Sequence, residues 1–204
     1  MSRTHLSSLS LSSLSLSSLS LSALALAAAL AAPAFAADYT QAAGSTLTFG
    51  GKYQGEAFNG RFPGFATTFS FDPANLAGAR LDVTIPLATA TAGNPDYDGE
   101  LRGASFFNSA KFPQAHYTAT RFRSLGGNKY AADGALSLRG VAKPVTLTFT
   151  WTAGAKPVLA STAVVKRLDF GVGSGDWADT GVIPNEIQVA TKVIFQPKPA
   201  AAAR

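Results

Sequence analysis

Three short runs in this chain carry residue types that do chemistry, and each lacks a part that a working set needs. Asn94, Asp96 and Asp98, followed by Gly99, have the spacing of the first half of a calcium loop, in which alternating oxygens ligate a hard cation. The twelfth position of that loop is Ser105, where a bidentate Glu is required, and the preceding segment reads as a strand rather than a helix. The run is therefore read as a turn and a helix start. Gly171-Val-Gly-Ser-Gly175 has the look of a phosphate cradle but lacks its Lys-Ser/Thr ending, its glycine spacing and a crossover helix. It reads as a tight bend. His116 is the only histidine after residue 5; no nucleophile accompanies it in sequence, and no Gly-x-Ser-x-Gly elbow occurs. On a strand it belongs on the solvent side or the rim. Asp169 and Asp176 are isolated carboxylates, read as turn residues. No catalytic set assembles, so neither a catalytic residue nor a metal site is expected.

What remains is aromatic. Between Ser105 and Thr120 the chain places Phe106, Phe107, Phe112 and Tyr117 in what reads as a connector. Connectors usually run over the surface and are polar. One this aromatic must plug a core or line a pocket. The whole chain has 14 Phe against 2 Trp and 5 Tyr, a bias toward rings with no polar handle.

The elements that must position these rings are strands. Leu47 and Phe49 alternate with Thr46 and Thr48. Phe65, Thr67, Phe69 and Phe71 share one face. Leu81, Val83, Ile85 and Leu87 alternate with polar residues or Pro. Val145, Leu147, Phe149 and Trp151 alternate with a row of threonines. Leu136 with Leu138, Ala163 with Val165, and the series from Ile187 to Phe195 complete the pattern. Gly, Asn, Asp and Pro turns join them, which predicts an antiparallel sandwich or barrel. Tyr130 to Trp151 reads as a hairpin turning near Gly140 to Pro144. One helix is expected over Asp96 to Phe107, with its acidic residues in the first turn opposing the helix dipole.

Residues 1–36 read as a secretory signal peptide. A short basic start precedes an apolar run, Ala23 to Ala32, and Ala34-Phe35-Ala36 offers the small residues of a cleavage site. A retained membrane anchor is the alternative. The domain is expected over residues 37–195, with a Pro- and Ala-rich disordered tail over 196–204. There is no Cys, which excludes disulfides, a thiol nucleophile and a lipoprotein anchor. The net charge of +5 is dispersed, which argues against nucleic-acid binding.

The order of the motifs completes the reading. Phe62-x-x-Phe65 leads into Phe69-Ser-Phe71-Asp-Pro73 and Leu81-Asp-Val-Thr-Ile85. Ser105-Phe-Phe-Asn-Ser-Ala-Lys-Phe-Pro113 precedes Thr118-Ala-Thr120. Gly134-Ala-Leu-Ser-Leu-Arg-Gly140 runs into Lys143-Pro-Val-Thr-Leu147, and Arg167-Leu-Asp-Phe-Gly171 precedes Asn185-Glu-Ile-Gln-Val189. Together, from about Asp38 to Phe195, these resemble the YceI-like family of exported polyisoprenoid-binding proteins. The resemblance implies an all-β fold: a lipocalin-like antiparallel β-barrel of about eight strands with one short helix and an elongated apolar cavity. It implies a periplasmic or secreted carrier, not an enzyme, with no cofactor beyond a bound isoprenoid lipid, quinone or fatty amphiphile. The family's acids in the aromatic motif are replaced here by Ser105 and Asn108. The run Gly175 to Thr180 looks like a subset found beside membrane cytochromes of the b561 type, and the family also suggests a homodimer.

Alternation and the family pattern together give the expected cavity wall: Phe65, Phe69, Val83, Ile85, Phe106, Phe107, Phe112, Leu147, Phe149, Trp151 and Phe170. Trp177 and His116 are expected at the mouth, and Arg121, Lys143 and Arg167 are candidates to meet an anionic head group. Two rival readings stay open. One is an accessory of a membrane cytochrome acting on bound quinone, and the other is a stress-response module with a filled core.

Overall fold

Alternating apolar and polar residues fold into strands wherever one face is buried, and ten such segments form a single antiparallel sheet. The computed structural model describes residues 36–198; residues 1–35 of the expected signal peptide and the end of the expected tail lie outside them. The strands are β1 (Ala37–Gln41), β2 (Thr46–Tyr53), β3 (Glu56–Arg61), β4 (Ala66–Phe71), β5 (Arg80–Pro86), β6 (Gln114–Gly126), β7 (Lys129–Leu138), β8 (Val141–Thr152), β9 (Val158–Lys166) and β10 (Glu186–Pro197). The single α-helix among the described residues is α1 (Pro95–Arg102). No described helix is long and apolar enough to cross a membrane.

The order β1-β4-β5-β6-β7-β8-β9-β10 closes on itself because β10 also pairs with β1, through Gln41 opposite Phe195 and Tyr39 opposite Pro197. This is an eight-stranded barrel. The earlier part of β10 pairs instead with β2, and the β2–β3 hairpin continues the wall as far as a bridge between Arg61 and Thr91. Gln196 and Pro197 belong to β10, and the Lys198 N–H donates to the Asp38 carbonyl at 2.8 Å, so the strand outruns the expected end of the domain by two residues.

One register shift changes which residues face inward. Along β6, Ala115, Tyr117 and Ala119 are buried, but the pairing with β7 slips between Ala119 and Arg121. A bulge of this kind inverts the alternation. Phe122 therefore turns inward to the rings of Phe69 and Phe149, and Arg121 turns out to solvent.

The helix is shorter than expected. Asn94 caps it by accepting from the Asp96 N–H, with Pro95 in the first turn. Asp98 accepts from the Thr91 hydroxyl (2.7 Å) and the Ala92 N–H (2.6 Å), which ties α1 to the barrel and holds its carboxyl below the usual carboxylate range. These ties give the calcium-like spacing its structural role. The helix stops at Gly103, a poor helix former, whose N–H donates to the Gly99 and Glu100 carbonyls and whose backbone is extended. Phe106 and Phe107 follow the helix in a turn held by Asn108, which adopts φ +47°. The β7–β8 turn is made by Arg139 and Gly140 alone, both at positive φ, so Pro144 lies within β8.

Glycine matters most where an aromatic ring crosses the wall. A Cβ on Gly134 would lie 2.5 Å from the Thr118 carbonyl oxygen and 2.7 Å from the Tyr117 ring and hydroxyl. Since a backbone atom is among those met, Gly134→Ala is expected to destabilise the fold by about 2 kcal/mol, within the usual overpacking range. Denaturant unfolding measures it, and a change below about 0.5 kcal/mol would contradict the packing described.

Candidate functional site

The barrel interior divides into two halves. At the end bearing the β4–β5, β6–β7 and β8–β9 turns, rings fill it completely. Phe69 and Phe71 stack at 4.8 Å, Phe71 meets Tyr130 at 5.1 Å and Trp151 at 5.2 Å, and Tyr130 stacks on Phe149 at 5.4 Å. Phe195 and Tyr39 pack on Trp151 from the closing strands, at 5.9 and 5.3 Å. Phe69, Phe149 and Trp151, expected on the cavity wall, are thus members of a solid plug. Alternation correctly turns them inward, but there rings from opposite walls of the barrel meet, Phe69 and Phe149 at 5.9 Å.

The other half is a cavity of about 190 Å³. Its wall is almost wholly apolar: Leu47 and Phe49 from β2, Leu81, Val83 and Ile85 from β5, Val145 and Leu147 from β8, and Ala163 and Val165 from β9 are among the contributors. Of the expected wall residues, the structure brings Val83, Ile85, Phe106, Phe107 and Leu147 to it. Phe65 and Phe170 are buried but stand in the core beside it. Phe112 is half-buried outside it, against Gly140, with the Lys111 ammonium 5.4 Å from its ring. A connector of this kind has no period, so the sequence could not tell which of its rings point inward. Phe49, Phe62 and Tyr117 were not expected on the wall; the first two pack on Phe107 at 6.2 and 5.5 Å.

Two connectors close the mouth, residues 103–113 and residues 167–185, and they are stitched together. The Ser105 carbonyl accepts from the Gly173 N–H at 2.7 Å and from the Arg139 guanidinium at 3.1 Å. The Phe106 carbonyl also accepts from Arg139. The Phe106 ring lies 5.4 Å from Trp177, which in turn lies 6.3 Å from Tyr53. Trp177 therefore sits on the cover outside Phe106 and does not line the cavity. Hydrogen bonds to a charged donor contribute about 1.5–3 kcal/mol. Arg139→Ala is thus expected to raise transient opening of residues 105–112 about tenfold or more, read as faster amide hydrogen exchange there with β7 and β8 unchanged.

The head-group candidates part ways. His116 points outward from β6, its ring 3.4 Å from the Thr84 hydroxyl, and Arg121 is turned out by the bulge; neither reaches the mouth interior. Lys143 pairs with Leu136 and shares the alternation of Val145 and Leu147, which puts it at the mouth end of β8, exposed beyond the lining. Arg167 does line the cavity, yet it is buried and fully engaged. Its Nε donates to the Pro184 carbonyl (3.1 Å), Nη1 to Val172 (3.1 Å) and Gly173 (2.6 Å), and Nη2 to Trp177 (2.9 Å) and Ile183 (2.7 Å). A guanidinium has five N–H donors, and all five are used. Burial pushes its pKa down, and no carboxylate pairs with it among the described residues. The three glycines of Gly171-Val-Gly-Ser-Gly175 each adopt φ +66°, and the run lays the Val172 and Gly173 carbonyls on this guanidinium; a Cβ on Gly173 would lie 2.5 Å from Nη1. The run resembling a phosphate cradle is a cradle for an arginine of the same chain.

A closed antiparallel barrel with an apolar chamber beneath a stitched cover defines a lipocalin-like barrel. The chain belongs to the YceI-like domain family, whose model matches residues 39–195. Among curated relatives it is 41% identical over 88 residues to the protein YceI of Escherichia coli O157:H7, an alignment covering 43% of this chain and 46% of that one. The alignment thus spans about half the length of such relatives. Among solved structures, BcnA of Burkholderia cenocepacia superposes with a TM-score of 0.71 at 30% identity, covering 74% of this chain and 95% of BcnA. A polyisoprenoid-binding domain from Saccharophagus degradans has the same fold, with a TM-score of 0.62 at 18% identity over 80% of this chain and 99% of the domain.

Proposed function

We propose that this protein binds and carries an isoprenoid or related amphiphile, a prenyl lipid, quinone or fatty chain, without catalysing a reaction on it. The observation that carries the reading is the apolar cavity inside the barrel. Each buried methylene gains about 0.8 kcal/mol, so an apolar chain partitions into such a chamber and needs no charged anchor. The family and the polyisoprenoid-binding neighbour support the same class of cargo. The signal-like residues 1–36 support a periplasmic site of action, where a lipid would need a water-soluble escort. A membrane cytochrome as recipient of a quinone, or a second copy of the chain, belongs to this reading as a proposal.

The size of the chamber sharpens it. A cavity of about 150 Å³ holds benzene, so 190 Å³ admits about eight carbons, one to two prenyl units. A longer chain requires the plug or the cover to yield. That same observation favours a second reading, a structural module whose chamber stays empty. Native mass spectrometry of the purified protein, followed by organic extraction, separates the two. A stoichiometric prenyl lipid, quinone or fatty amphiphile supports the carrier. An empty protein that also refuses added prenyl lipids supports the module.

A further inference from the structure

The cavity floor, where the chamber meets the plug, holds two hydroxyls with nothing to bond. Thr67 is two residues from Phe69 along β4, and Ser161 is the cross-strand partner of Phe149 on β9. The rings of Phe69 and Phe149 lie 5.9 Å apart across the barrel. Both hydroxyls therefore sit at the level where the rings begin, on separate walls. Thr67 is 3% exposed and Ser161 6% exposed, both line the cavity, and neither hydroxyl has a hydrogen-bond partner among the described residues. Thr191, the cross-strand partner of Ser161, adds a half-buried hydroxyl to the same wall, whereas the buried Tyr117 and Arg167 are engaged. The Tyr117 hydroxyl lies 2.9 Å from the Ala132 carbonyl and 3.1 Å from that of Val145, and Arg167 has no free N–H. Unused hydrogen-bonding capacity thus lies in the wall at the bottom of the chamber, each oxygen shielded from the open space until its side chain turns about χ1, while rings cover the mouth.

A buried hydroxyl left unbonded costs about 1–3 kcal/mol, and valine or alanine would fill either place without that cost. We propose that Thr67 and Ser161 form a polar floor that receives an oxygen-bearing end group, a carbonyl, amide or hydroxyl, so that the cargo enters polar end first with its apolar body along the wall. The proposal rests on the carrier reading and specifies it: the ligand class is an apolar chain with a neutral hydrogen-bonding terminus. A carboxylate or phosphate is excluded from the floor, because no cation stands there to match it.

The test compares octanamide with nonane, of similar length, binding to delipidated protein, wild type and the variants Thr67→Val and Ser161→Ala. Binding is read by native mass spectrometry and by thermal shift. Octanamide is expected to bind the wild type at least tenfold more tightly than it binds the double variant. Nonane is expected to bind both within about twofold, and the ligand-free double variant to be at least as stable as the wild type. If both probes bind and octanamide is indifferent to the substitutions, the polar floor is overturned while the carrier reading stands, and water alone satisfies the hydroxyls. If neither probe binds any form of the folded protein, the carrier reading itself fails.

Discussion

Arg167→Met is expected to lower the stability of the fold by about 3–5 kcal/mol, because each buried carbonyl left without a donor costs about 1–3 kcal/mol and several are left so. Five carbonyls, those of Val172, Gly173, Trp177, Ile183 and Pro184, converge on this guanidinium. Removing it leaves all five without a donor at the centre of the loop, which keeps only its peripheral ties, such as the Gly173 N–H to the Ser105 carbonyl and the Ile183 N–H to the Asp179 carbonyl. Arg167→Lys supplies three donors at most and no planar fork, so an intermediate loss is expected. In a domain of this size each kcal/mol shifts Tm by about 2–4 °C, so the Met variant is expected to melt about 6–20 °C below wild type. Its cover should also exchange amide hydrogens freely. A loss below about 1 kcal/mol would show that the carbonyls find water without cost, and that the arginine does not organise the loop.

The second large effect concerns the chamber. Ala163 is buried on β9 and its methyl group faces the cavity. Ala163→Phe places a benzene-sized ring into about 190 Å³, where a cavity of about 150 Å³ is filled by benzene itself. Loading of a prenyl lipid is expected to fall at least a hundredfold. Stability is expected to change by no more than about 2 kcal/mol, since the ring occupies space already open and overpacking strain is modest. Lipid content after extraction, set beside a denaturant melt, gives both readings. A stable variant that still carries stoichiometric lipid would move the cargo site elsewhere.

The fold was legible because alternation is a local signal. Phe65 to Phe71, Val145 to Trp151 and Ile187 to Phe195 each announce a strand with an inward face, and the structure has each of them so. The division of the interior was not legible. Alternation treats an inward aliphatic residue and an inward ring alike, yet Leu147 lines the cavity and Phe149, two residues on, fills the plug. What separates them is the depth at which rings from distant strands meet, which no local pattern encodes. The bulge that turns Arg121 outward shows in the sequence only as a change of phase, from Ala115, Tyr117 and Ala119 to Phe122 between two arginines. Arg167 was noticed for its charge, but its role depends on five carbonyls gathered from residues 172 to 184, a matter of backbone shape. Thr67 and Ser161 read as ordinary strand residues; an unpaired hydroxyl is visible only once its surroundings are known.

The pairing of β1 with β10 also governs how this molecule is made. Tyr39 and Pro197 stand opposite each other although nearly the whole described chain separates them. Contacts so distant in sequence form slowly, because the loop they close carries a large entropic cost before any contact repays it. Hairpins such as β6–β7 and β7–β8 can assemble early from neighbouring residues, but until the last strand arrives the sheet has two open edges. Unpaired edges invite pairing with other chains, so the interval before closure is when this protein is most prone to aggregate.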